Sequence, residues 1–145
     1  MKDNFLESDS LSTVIFGINR IQSSPTVEHI KNIDRHCDEF RVAGIGEVRC
    51  VSFNDVPFFT LLMPKYSNRI KFVQDHDSLI EYQRLLGKRG HPEFLKQYWQ
   101  FACIIKNNTV QYYIEQPFSN RLGVDTNEAI YSEVGPEKIL EVLSK

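Results

Sequence analysis

Histidine, cysteine and carboxylate come closest together in the sequence between His29 and Asp38. His29 and His36 are seven positions apart, nearly two helical turns, which puts both imidazoles on one side of a helix. With Cys37 and Asp34 or Asp38 beside them, nitrogen, sulfur and oxygen donors would be available to a metal ion. Cys37, however, falls in register with Val27, Ile30, Ile33 and Phe40, a stripe recurring every three or four residues. The two histidines stand one position off that stripe, so they read as solvent-boundary residues. No second cluster has ligand spacing, and no metal or cofactor is expected.

Asp75-His76-Asp77 would place two carboxylates beside an imidazole, suited to a hard cation or a proton relay. The run also opens a helix-like pattern carrying Leu79, Ile80, Leu85 and Leu86, where acids satisfy free amides at the positive helix end. Capping is the simpler role. The segment Gly87-Lys88-Arg89-Gly90-His91 offers an anion site in Lys88, Arg89 and His91, with Tyr82 or Trp99 able to stack on a base. It lacks the upstream glycine and following hydroxyl of a P-loop, and a nuclease would need a second proton-transfer group.

Gly44-x-Gly46 precedes a strand pattern and has no third glycine, so it is no dinucleotide fingerprint. A bend or bulge at the strand entry explains it better. The three cysteines, 37, 50 and 103, form no Cys-x-x-Cys pair and cannot all be bridged within the chain, which predicts buried thiols in a reducing compartment. Cys50 and Cys103 fall in strand patterns and read as core residues, and no Gly-x-Ser-x-Gly elbow is present.

Charge is uneven along the chain. Residues 84–106 hold five bases and one acid, whereas 115–141 hold six acids and two bases, within a net charge of -2. That near-balance argues against a surface gripping nucleic acid throughout. The acidic segment interleaves Phe118, Leu122, Tyr131 and Val134, and so resembles an aromatic anchor inside a negative rim. Asp125, Glu128, Tyr131 and Glu133 are the expected contacts with a basic protein partner.

With 145 residues, 41% of them hydrophobic, the chain can enclose one core, and a single domain over 1–145 is expected. No apolar run is long enough to cross a bilayer, and the start has no export signal, which predicts a cytoplasmic protein. Strand patterns are expected over 11–18 and 69–73, a helix over 25–40, hairpins over 44–64 and 99–115, and a final helix from Pro136. Two further helices fit the middle of the chain. Hairpins imply antiparallel pairing, so the expected fold is α+β: a mostly antiparallel sheet of two hairpins plus an N-terminal strand, with amphipathic helices on one face.

From this reading the chain is expected to be a non-enzymatic binding protein, such as an immunity or antitoxin-like antagonist that occludes a basic nuclease toxin. An enzyme or sensor acting on a phosphorylated ligand or RNA through Lys88, Arg89 and His91 is the competing expectation. A structural subunit of a homo-oligomer is the third.

Overall fold

The computed structural model describes residues 12–18, 24–52, 63–74, 100–107, 109–115 and 134–145. In chain order these form β1 (Ser12–Ile18), α1 (Ser24–Arg35), α2 (Cys37–Val42), β2 (Ile45–Ser52), a 3-10 turn (Met63–Tyr66), β3 (Lys71–Gln74), β4 (Phe101–Lys106), β5 (Thr109–Glu115) and α3 (Pro136–Leu143). The strands make one sheet in the order β3-β2-β1-β4-β5.

That sheet is mixed, which corrects the antiparallel expectation. β1 and β2 run parallel, as do β2 and β3, while β1 with β4 and β4 with β5 are antiparallel. Parallel neighbours need a crossover, and α1 with α2 supplies it between β1 and β2. β2 is therefore not the first arm of a local hairpin; both its neighbours in the sheet run alongside it. The expected return arm up to residue 62, together with the two middle helices, lies outside the described residues, and the end of the expected hairpin, Met63-Pro64, is in the 3-10 turn. The second expected hairpin does form, with Asn107 at its turn in the left-handed region at φ 55°.

β1 shows how the pattern misled. Six consecutive residues, Thr13 to Ile18, are buried, because this central strand is covered on both faces. Val14, Phe16 and Ile18 join Val48, Cys50, Ala102 and Ile104 beneath Ile30, Ile33, Phe40 and Ile139 of the helices. Ile15 faces the other way, into a second cluster with Val51, Phe101, Cys103 and Ile105. Gly17 lies opposite Phe101 in the register, and a Cβ there would overlap that ring, which itself stacks on Tyr113 at 5.9 Å.

The glycines flanking the first residue of β2 make a bend and a bulge. Gly44 adopts φ +98°, and the β1–β2 register steps from Ser12 opposite Ile45 to Thr13 opposite Glu47, leaving Gly46 as the extra residue. The single helix expected over 25–40 is instead two. At His36 the backbone N–H reaches back to Ile33 O at 3.0 Å, a tightened turn, and α2 starts at Cys37. Ile30, Ile33, Cys37 and Phe40 stay buried across the break. α3 begins at Pro136, buries Ile139, and is tied to α1 by the Asn32 amide, which donates to Glu137 at 3.1 and 3.3 Å.

Candidate functional site

Two places among the described residues gather polar chemistry. The first is the carboxyl end of β1. The chain leaves β1 through α1 toward β2 on one side, while the strand on the other side, β4, enters from much later in the sequence. Open sheets bind ligands at such divergence points, outside the carboxyl ends of their strands. Thr26 and His29, from the first half of α1, are buried there, and the His29 ring meets Phe16 edge-on at 5.7 Å. Gln100 precedes Phe101, the partner of Gly17, and shares the alternation of Ala102 and Ile104, which puts it on the helix side of the sheet. It is buried, and its amide nitrogen has no hydrogen-bond partner among the described residues. Burial pushes the His29 pKa down to about 3, so the imidazole is neutral at physiological pH. The group is uncharged, and the first cysteine of the sequence comes only at position 37. A thiol in the first turn of α1 would be activated by the helix end. This chain has Ser24-Pro25-Thr26-Val27 instead.

The second place is a cleft of about 280 Å³ between α2, β2 and the residues leading into β3. Cys37, Phe40 and Arg41 line it from α2, Val48 from β2, and Arg69 and Lys71 from the far side. Ser67 organises that far side: its hydroxyl donates to Asp34 Oδ1 at 2.6 Å and accepts from the Arg69 backbone N–H at 3.1 Å. The Arg69 guanidinium donates to the Asp34 carbonyl at 2.7 Å, to Asp34 Oδ1 at 3.4 Å and to Asp38 Oδ1 at 3.0 Å. Arg41 also pairs with Asp38, at 3.6 Å. Burial works to raise the Asp34 pKa, but the bonds from Ser67 and Arg69 outweigh it and hold the carboxyl below its usual value.

Cys37 is the thiol this cleft reaches. Its Sγ donates to Ile33 O at 3.5 Å. Burial raises its pKa; Arg69 and Arg41 pull against that, while Asp34 and Asp38 add to it. Cys50 and Cys103 are deeper, and burial drives both thiols far above their ordinary range. The two were expected to be core thiols, and they are.

The other expected site residues are not placed. Lys88, Arg89, His91, Asp125, Glu128, Tyr131 and Glu133 all lie outside the described residues. So does Asp75-His76-Asp77. Of the two histidines read as boundary residues, His36 is partly exposed, with Nδ1 2.8 Å from Asn32 O, but His29 is core. Among the described residues no group of three ligating side chains could hold a metal ion, and no helix is long and apolar enough to cross a membrane. Sequence reasoning missed Asp34–Arg69 because the partners are 35 positions apart. It missed Gln100 because a lone glutamine before a strand carries no pattern.

No known family profile and no curated protein matches the sequence. Solved structures do match in shape. Reduced Prx3 from Vibrio vulnificus, in complex with hydrogen peroxide, superposes with a TM-score of 0.67 at 19% identity, covering 92% of this chain and 81% of that one. A peroxiredoxin-like protein from Aquifex aeolicus gives 0.64 at 15% identity, over 94% and 72%. Peroxiredoxin Q from Xanthomonas campestris gives 0.60 at 13%, over 93% and 78%. The fold is the thioredoxin-like fold of the peroxiredoxins. This likeness overturns the expected toxin antagonist and the leaning toward a non-enzyme: the structures resembled are peroxiredoxins rather than immunity or antitoxin proteins.

Proposed function

We propose that this chain reduces hydroperoxides by thiol chemistry, with Cys37 as the reacting residue. The supporting observation is a peroxiredoxin-like fold in which one of three thiols lines a cleft. Among the structures resembled, one holds hydrogen peroxide and another is described for alkyl peroxide reduction. In the reaction the Cys37 thiolate attacks one peroxide oxygen and the O–O bond breaks. Sulfur loses two electrons and becomes a sulfenic acid, and the other oxygen takes a proton and leaves as water or an alcohol. Two equivalents of a small thiol then reduce the sulfenic acid back to the thiol, releasing water and a disulfide. Because the Cys37 pKa is raised, the thiolate is scarce at neutral pH and turnover climbs as the solution is made alkaline. Three unbridged thiols also favour a reducing compartment, and we place the protein in the cytoplasm.

The test is consumption of hydrogen peroxide and an alkyl hydroperoxide with a small thiol in excess, alongside chemical trapping of sulfenic acid. A trapped adduct on Cys37, and loss of protein-dependent turnover in Cys37→Ser, is the expected result. Turnover at the same rate in Cys37→Ser, or no adduct in the wild type, ends this reading.

The unpartnered Gln100 amide favours a second element, a small neutral hydrogen-bonding molecule held at the carboxyl end of β1. Replacing an unsatisfied buried amide by an apolar group of similar shape is neutral or stabilising. Gln100→Met is expected to weaken binding of a small neutral molecule there while leaving turnover at Cys37, in the separate cleft, unchanged; binding unchanged in a stabilised variant removes this element.

A further inference from the structure

We propose that Asp34 and Asp38 act as an electrostatic brake on Cys37, occupying the Arg69 guanidinium so that the cleft presents the sulfur as a thiol. This rests on Cys37 as the reacting thiol for its biological consequence, but the physical claim stands on the arrangement of charges alone.

The cleft carries cations that would stabilise a thiolate: Arg41 beside Cys37 on α2, and Arg69 and Lys71 from across it. Each is countered. Asp38 takes both Arg41, at 3.6 Å, and Arg69, at 3.0 Å. Asp34 takes a second face of Arg69 through its carboxylate and its carbonyl, and is itself fixed by Ser67. Glu47, from β2, stands 4.0 Å from Lys71. Asp34 and Asp38 sit three positions before and one after Cys37, so the same turns that carry the sulfur carry its negative neighbours. An ion pair beside a nucleophile has a nearly cancelled field, whereas an unpaired guanidinium would favour the anion. Opening the Asp38–Arg69 pair, by substitution or by an anion competing for the guanidinium, therefore releases positive field onto the sulfur.

The test is the rate of iodoacetamide alkylation of the full chain between pH 6.5 and 10, read as intact mass, with Cys37→Ser assigning the reacting sulfur. Asp38 is largely exposed, so Asp38→Asn leaves the fold in place. It is expected to alkylate about two- to fivefold faster near neutral pH, with its rate profile moved to lower pH. The gap should narrow at 1 M salt, where the Debye length falls to about 3 Å. Arg69→Gln should move the profile to higher pH, and Arg69→Lys, which keeps the charge, should restore it. A wild-type profile in Asp38→Asn overturns the proposal whatever Arg69→Gln does. A chain that alkylates as expected but consumes no peroxide sustains the brake and ends the peroxidase reading, so the two failures are distinguishable.

Discussion

The carboxyl end of β1 and the Cys37 cleft divide between them what a thiol enzyme would want in one place. At β1 the groups are buried and neutral: Thr26, His29 and Gln100, beneath the start of the longest described helix, and the neighbouring sulfur, Cys50 opposite Phe16, is a core thiol. At the cleft there is a sulfur among full charges, but the charges are paired off and the helix that carries it, α2, is only six residues long. Burial accounts for the neutrality of His29, since it disfavours the charged imidazolium, while Thr26 and Gln100 carry no titratable group. Pairing accounts for the second, where solvent is near enough to keep ions charged. The described residues thus set neutral buried groups at a divergence point and a thiol among paired charges in a separate cleft.

The largest effect expected from this contrast is in thiol accessibility. Under native conditions iodoacetamide should modify Cys37 on the order of 1,000-fold faster than Cys50 or Cys103, because exposing a sheet-core thiol requires an opening that approaches global unfolding, ~5–15 kcal/mol. Peptide mass mapping checks this, and equal rates would dissolve the distinction between cleft and core.

Acid sensitivity should locate in the β1 site. The unfolded His29 takes up a proton near its ordinary pKa of 6.5, the folded one only near 3, so stability is full above 6.5 and falls as pH drops through that window. Between pH 7 and pH 4 the loss is about 3 kcal/mol, at 1.36 kcal/mol per pKa unit. Urea unfolding of the wild type and of His29→Leu at both pH values isolates it; a variant that keeps the wild-type pH difference would show the imidazole is not the cause.

Smaller effects follow. Gly17→Ala drives a methyl into the Phe101 ring, and overpacking of this kind costs about 1–3 kcal/mol, read as a lowered urea midpoint. Ser67→Ala removes the hydroxyl that fixes Asp34 and should cost about 1 kcal/mol while leaving Cys50 and Cys103 as protected as before. A loss at the cleft that also unprotected the sheet thiols would mean the two regions open together.

Much of the local structure was legible. STVIFGI is a strand, Pro136 opens a helix, Asn107 turns a hairpin, and the glycine pair at 44 and 46 is a bend with a bulge. Strand partnership was not, because alternation along β2 states which side chains share a face and says nothing of which strand lies beside it. The break at His36 was hidden for a related reason: the apolar spacing from Ile30 to Phe40 continues across it, so one stripe is carried by two helices. Cys37 was read correctly as part of that stripe; its place at the margin of a cleft could be seen only once β2 and the segment before β3 were set against it.

Residue types and their spacing determined by themselves that this chain has amphipathic helices, strands and buried thiols, since each of these depends on neighbours within a few positions. Tertiary structure alone decided that the sheet is mixed, that His29 is in the core and loses its charge, and that Arg69 is engaged by Asp34 and Asp38 from over thirty positions away. Coulomb attraction and desolvation depend on distance in space, and sequence separation does not fix that distance until the strands have chosen their partners.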